Sequence, residues 1–525
     1  MITHFFERKI VQIGLIIASV VFYFALTFQK IDIVPTEDDV HLFTSLNLSL
    51  PLQKFGNLGY YLSFFVISRF VENPLVVIFL NYFFLSSTAF VVLFLALKRH
   101  LKSFQIAFIL SVCFLFSDYQ IFLVPKVTYL NFILLCLAIY WIDMSRSNFR
   151  NYLMISCCIL LNAYVARPEF IWFLIPVLII SFFFYFKNFP KFRQTAALLS
   201  FLVLLLVLSW LGGGFYPSGY LKETFIQHFF DNYEVWTGKH YDLADEFKQF
   251  EIIYGSVALD YQVFTANMSL LGKHMVFNLK NTVFSVIGAL KSNFYDAFVG
   301  FFGSKTKYFV ALLLILTVVL VDFKTTIFQF LESLKSSSKY LKFLLWLLIP
   351  VVSVVLVIYP RGHFVLLLLP FVFLILGVFL KGFRLRKILF PNFFAPFLMI
   401  MLCLGIIMKR PLKTNHPNNV DFYKYLNDRE FSKPLKMLSN DNFGYLYFSK
   451  NFDRIGWDPY SESILEKMMS DSIDVVSIYR LDLEVPATRA FVDSLHRQYG
   501  YVLIRKFEEQ KRYIWVKPEL ADKFQ

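Results

Sequence analysis

T-A-A-L-L-S-F-L-V-L-L-L-V-L-S-W-L fills residues 195–211 without a single charge. An α-helix rises about 1.5 Å per residue, so roughly 20 apolar residues cross the ~30 Å hydrocarbon core of a bilayer. A run this long exceeds a strand, and it is apolar on every face, unlike the half-buried helix of a water-soluble domain. Similar runs recur at 10–28, 73–97, 104–117, 127–143, 152–166, 168–186, 308–322, 343–359, 364–380 and 391–408. The pattern predicts an all-α polytopic membrane protein with about 11 transmembrane helices. Residues 58–70 are also apolar and are expected to lie against the membrane or to extend the second span.

Composition points the same way. Of 525 residues, 57% are hydrophobic, 66 are Phe and only 17% are charged. The net charge of +14 does not indicate nucleic acid, because the basic residues sit in short clusters between apolar runs, where they orient helices. Alternate short connections on one side, including Lys98, Arg99, Lys102, Arg146, Arg150 and Lys342, carry 18 Lys and Arg; the opposite ones carry 5. The positive-inside rule places the richer set, and with it the N-terminus, in the cytoplasm of a multi-pass cell (inner) membrane protein. The first span is long for a signal peptide and lacks a small-x-small cleavage site, so it reads as a retained anchor. All five cysteines (Cys113, Cys136, Cys157, Cys158, Cys403) fall inside predicted spans, which indicates neither a disulfide framework nor a thiolate metal site.

The predicted organisation is a transmembrane domain over 1–408, with outer loops at about 29–72 and 212–307, and an extracytoplasmic α/β domain over 409–525. An odd number of spans puts that last domain outside. Its expected strands are 445–449, 473–479, 501–507 and 513–517, with helices near 461–470 and 487–498. The later part of the long loop, about 281–303, is apolar, but Lys291, Asn293 and Asp296 favour an interfacial or re-entrant helix over a span.

Three polar motifs fall on the predicted outer side. Glu37, Asp38 and Asp39 follow the first span; they suit a hydrated loop, or a general base held at the membrane surface. Adjacent carboxylates push one another's pKa apart, which keeps one of them basic. Y-V-A-R-P-E-F (164–170) places Arg167 and Glu169 at a turn, where they either pair or snorkel, or face an anionic head group. Y-P-R-G-H-F (359–364) places Arg361 and His363 on another outer turn, where a guanidinium with a second donor suits a phosphate.

Together these motifs resemble the GT-C superfamily of integral-membrane glycosyltransferases, which take a sugar from a polyprenyl-phosphate carrier. Asp38-Asp39-Val40-His41-Leu42-Phe43 is similar to the D-E-V-H motif of protein O-mannosyltransferases, with Asp for Glu and a Leu before the aromatic. Arg361-Gly362-His363-Phe364 with Pro370 resembles the R-Y or R-H element before a proline-containing late span. Arg167-Pro168-Glu169 resembles the R-P-E turn of bacterial members, the aminoarabinose transferase-like proteins among those this chain is similar to. The resemblance implies an inverting transfer with Asp38 as base, Asp39 and Glu37 in support, and His41, Arg167, Glu169, Arg361 and His363 binding substrate. It implies as partners a lipid-linked sugar donor, a glycolipid, glycan or protein acceptor, and the bilayer. No cofactor is demanded; a divalent metal beside Asp39 is left open. Tyr216, Tyr220, Tyr233, Trp236 and Tyr241 in the long loop are candidate sugar-stacking faces, although loop aromatics more often pack or sit at an interface. The rival readings are a flippase or transporter, and a polymerase, of lipid-linked cell-envelope oligosaccharides. Smooth spans and outward-facing charges favour interfacial chemistry over conduction.

Overall fold

A computed structural model describes residues 9–28, 58–71, 74–117, 128–143, 147–165, 167–187, 192–212, 220–239, 243–257, 260–308, 310–312, 315, 321–336, 338–360, 362–382, 425–426, 431–439, 452–456, 472–479, 500–507 and 512–524. These residues are mostly helical, with one small sheet near the C-terminus. They fall into two compact units, one built mainly from the helices up to Gly382 and the other containing the sheet.

The helical unit runs through α1 (Lys9–Phe28), α2 (Leu58–Ser68), α3 (Pro74–Leu101), α4 (Phe104–Leu115), α5 (Thr128–Trp141) and α6 (Asn148–Val165). A 3-10 turn, Pro168–Phe173, leads into α7 (Leu174–Lys187) and then α8 (Phe192–Gly212). The long connection folds into α9 (Tyr220–Thr237), α10 (Leu243–Ile253) and α11 (Met268–Phe302); α12 (Phe323–Ser336), α13 (Ser338–Val357), α14 (Gly362–Val365) and α15 (Leu369–Gly382) follow.

Among the described residues, four helices are long and apolar enough to cross a membrane: Phe79–Leu101, Pro168–Lys187, Phe192–Leu211 and Tyr340–Val357. Shorter apolar helices cover Lys9–Ala25, Phe104–Leu115, Thr128–Trp141 and Leu366–Gly382. Nine of the eleven predicted spans thus coincide with helices, but only four reach full spanning length and hydropathy among the described residues. The span predicted at 391–408, and most of that at 308–322, lie outside the described residues. The opening run belongs to α8, where only 11% of the apolar window is buried within the protein. Leu199, Val203, Leu206 and Trp210 form an exposed apolar stripe at helical spacing. Such a surface is stable only against lipid or another apolar partner. By contrast, α3 buries Ala89, Phe90, Leu93, Phe94, Ala96 and Leu97 at the centre of the unit. It closes on α15 where Gly377 presents no side chain to Leu101.

Local chemistry sets several helix ends. Ser103 caps α4 by accepting from the Ile106 N–H, and Asn267 caps α11 by accepting from the Leu270 N–H. Gly303 ends α11 with φ at 56°, a backbone conformation that glycine adopts without strain. The segment expected to be an interfacial or re-entrant helix, about 281–303, is the later part of this 35-residue α11, which packs along α13.

The sheet has the order β2-β1-β3-β5-β4, with β1 Leu435–Ser439, β2 Phe452–Gly456, β3 Val475–Tyr479, β4 Val502–Phe507 and β5 Arg512–Val516. β1 pairs in parallel with β2 and β3, while β5 runs antiparallel to β3 and β4. Apolar clusters cover both faces. Met437, Val475, Ile514 and Val516 lie on one face; Leu438, Val476, Ile478 and Trp515 lie on the other. The three later strands match their predicted segments. β1 and β2 were not predicted: L-K-M-L-S and F-D-R-I-G carry charged residues with low strand propensity, and tertiary pairing overrides it. The predicted strand 445–449 and helices 461–470 and 487–498 lie outside the described residues.

Candidate functional site

Two ends of the helical unit can be told apart by their polar contacts. At one end Lys98 donates to Gln12 at 2.8 Å, Arg99 pairs with Asp143 at 2.9 Å, and Lys342 reaches Asn148 at 3.5 Å. Basic connections that the charge count assigned to one side therefore meet at one end. The Arg167 turn sits at the other, beside Thr128 at the start of α5, whose far end is at Trp141.

At the Arg167 end, the backbone N–H of Arg167 donates to the Asn162 carbonyl at 2.9 Å, curling the end of α6 into the 3-10 turn. Pro168 opens that turn, where a missing N–H is tolerated. Asn162 is completely buried and is itself anchored, since Asn131 of α5 donates to its side-chain oxygen at 2.7 Å. The Arg167 guanidinium donates to Thr128 Oγ1 at 2.7 Å and lies over the Phe364 ring, 4.1 Å from its centroid. The R-P-E turn is thereby packed against the residue that closes R-G-H-F.

Glu169 is 4% exposed, and neither carboxylate oxygen has a hydrogen-bond partner among the described residues; Arg167 Nε is in the same position. Arg167 is near enough for its charge to act on the carboxylate, but the two do not form the hydrogen-bonded pair that the turn suggested. Burying a carboxylate without a hydrogen-bonded side-chain partner is costly, and the nearby Arg167 charge offsets only part of that cost. A guanidinium with an unused N–H beside a buried carboxylate can bind an anion on one side and a hydroxyl on the other.

Glu37, Asp38, Asp39, His41 and Arg361 lie outside the described residues, as does the side chain of His363, whose backbone belongs to α14. Among the described residues no three His, Cys, Asp or Glu side chains come together to hold a metal. Cys113, Cys136, Cys157 and Cys158 form no disulfide among the described residues.

A second polar network, absent from the sequence reading, ties the long connection to the segment just before Arg361. His274 and Asn278 on α11, and Asn232 on α9, are completely buried. The Asn232 amide donates to His274 Nδ1 at 2.9 Å and to Asn278 Oδ1 at 2.8 Å. Nε2 faces the carbonyls of Val357 and Ile358, each at 3.0 Å; because a carbonyl can only accept, the imidazole proton is assigned to Nε2. Asn278 donates to the Leu356 carbonyl at 2.8 Å. Pro360 cannot continue α13, and these side chains satisfy the carbonyls left open at its end. Burial is the main influence on His274 and pushes its pKa down to about 4, so the ring is neutral. His228 Nδ1 contacts Asp231 at 2.9 Å, and its ring stacks on Tyr359, two residues before Arg361. The available signal was spacing. His228/Asn232 and His274/Asn278 are i,i+4 pairs, which place polar side chains on one face of otherwise aromatic-rich helices.

Of the loop aromatics, the two whose side chains are described are engaged in packing. Tyr233 stacks on Phe229 with centroids 5.5 Å apart, and Trp236 packs edge-on against Phe277 at 5.7 Å. Both are partly buried and pack against the apolar cluster around Phe229, Phe250 and Tyr254. Tyr216 and Tyr241, and the side chain of Tyr220, lie outside the described residues.

No family model matches the sequence, and comparison with curated proteins finds no match. The chemistry must be argued from the residues themselves.

Proposed function

We propose that this protein is an integral-membrane glycosyltransferase. It moves a sugar from a polyprenyl-phosphate carrier to an acceptor hydroxyl at the outer face of an eleven-span bundle. The observation that carries the reading is the packing of Arg167 on Phe364. It joins the R-P-E turn to Phe364, the last residue of R-G-H-F, across nearly 200 residues, with the buried Glu169 carboxylate in the same turn as Arg167.

In the proposed reaction Asp38 takes the proton from the acceptor hydroxyl. The oxygen attacks the anomeric carbon, the bond from that carbon to the phosphate oxygen breaks, and polyprenyl phosphate leaves with the electron pair. Arg167, Arg361 and His363 bind the departing phosphate, where fixed donors are worth most because charge grows there in the transition state. Glu169 accepts from a sugar hydroxyl, and Asp39, Glu37 and His41 orient the acceptor. A metal, if one is used, would be held by the acidic trio.

The test is sugar transfer from a polyprenyl-phosphate donor in membranes, comparing wild type with Asp38→Asn and Arg361→Ala after normal insertion is confirmed. Removing a general base or a transition-state donor lowers turnover by about 10² to 10⁴. Full transfer by Asp38→Asn removes that residue as the base. Lipid movement without transfer in the wild type replaces the reading with a flippase.

A further inference from the structure

At the end opposite Arg167, the helical unit holds a cavity of about 510 Å³ that the transfer chemistry does not use. Its walls are apolar: Leu344 and Leu348 of α13 face Phe371, Leu374 and Val378 of α15. Its head is polar and lies where α3 ends, at Arg99, His100 and Lys102, with Asp143 opposite.

The floor of that head is internally satisfied. His100 Nε2 lies 2.7 Å from the Ile139 carbonyl, the Tyr340 hydroxyl donates to the same oxygen at 3.3 Å, and the two rings stack 4.2 Å apart. Arg99 pairs with Asp143 at 2.9 Å, so those two charges cancel. Lys102 is different. It follows the last residue of α3 in the left-handed conformation, φ 52°, with its N–H on the Lys98 carbonyl at 3.0 Å. It is exposed and has no ion-pair partner among the described residues, so the head carries one net positive charge. At the side of the cavity, Leu345 and Ile375 are more than half exposed. The apolar part therefore opens sideways between α13 and α15, while the cation stands at its mouth.

An apolar slot open to the side with a cation at its head matches an amphiphile. A water-soluble anion would leave the apolar walls without a partner, and a neutral hydrocarbon would leave the Lys102 charge unused. We propose that this cavity holds one anionic phospholipid, with one acyl chain between α13 and α15 and the phosphate on Lys102. Basic pockets between helices on the cytoplasmic side recognise anionic head groups in this way. The basic connections gathered at this end place it in that leaflet under the positive-inside rule. The inference is independent of the sugar-transfer reading.

The experiment uses the full chain, purified in detergent and titrated with dioleoyl phosphatidylglycerol or dioleoyl phosphatidylcholine under native mass spectrometry. One phosphatidylglycerol per chain is expected to be retained in preference to phosphatidylcholine. Lys102→Gln removes one surface cation and should weaken that binding about fivefold. Leu348→Trp, which fills the slot, should abolish it. Inorganic phosphate alone should not displace the lipid. Equal retention of both lipids, displacement by phosphate, or a Lys102→Gln variant that binds like wild type overturns the proposal. Because Lys102 is exposed, that variant is informative even if Leu348→Trp fails to fold.

Discussion

Replacing His274 by glutamine should lower stability at neutral pH and flatten its dependence on acid. The imidazole is completely buried, accepts from Asn232 and faces two carbonyls at the end of α13. Glutamine can satisfy one carbonyl but not the whole set, and losing about one net hydrogen bond costs about 1 to 2 kcal/mol near pH 7. Acid works in the opposite sense. An unfolded imidazole takes up a proton below pH 6.5, while folded His274, held neutral chiefly by burial, does so only near pH 4. Between those values the unfolded chain binds more protons. The wild type therefore loses about 1.4 kcal/mol per pH unit on acidification, about 3 kcal/mol across the window. Glutamine does not titrate, so the two proteins should be equally stable near pH 5.5. The charged and titratable neighbours, Asp231 and His228, are present in both and cancel in the comparison. Thermal unfolding of the detergent-solubilised protein from pH 7 to pH 4.5, with amide exchange over residues 268–282, reads the effect locally. Parallel pH curves for wild type and variant would refute the assignment of His274 as a buried neutral hydrogen-bond hub.

Asp474→Ala should loosen the C-terminal sheet, because one carboxylate pairs with Lys517 at 2.8 Å and accepts from the Lys436 N–H at 3.0 Å, joining three strands. Both side chains are partly exposed and screened, so a loss of about 1 to 2 kcal/mol is expected, read as faster amide exchange in β1 and β3. Gly377→Val should destabilise the helical unit by about 1 to 3 kcal/mol, since a Cβ there overlaps the buried Leu101 side chain. Gly288→Val, where nothing lies within 4 Å of the added carbon, is the control; equal effects on the melting midpoint would contradict the packing argument.

Much of the helical architecture was legible because lipid-facing and buried helices announce themselves by length and apolarity. The run at 195–211 is one such helix, and its stripe through Leu199, Val203, Leu206 and Trp210 needs only period 3.6 to be read. The strands Val475–Tyr479 and Arg512–Val516 were legible for the same kind of reason, through β-branched and aromatic enrichment. Arg167 and Glu169 were picked out together, with pairing as one of the readings the turn allowed; among the described residues the carboxylate makes no hydrogen bond to the guanidinium. The guanidinium bonds Thr128 and lies over Phe364, residues that no local pattern links to it. Tyr233 and Trp236 follow the packing alternative, which composition could not separate from a stacking face because the two differ only in what packs on the ring.

The sequence by itself determined which segments are greasy enough for a membrane, where the basic residues cluster, and which short motifs carry opposite charges. These are local quantities, set by side-chain transfer free energies and helical pitch. Only the tertiary structure decided that Arg167 rests on Phe364, that His274 and Asn278 close the end of α13, and that Lys102 stands at the mouth of an apolar slot. Each of those contacts joins residues distant in the chain or on different helices. The free energy that selects them comes from burying polar groups with partners, which depends on how the helices pack rather than on any one segment.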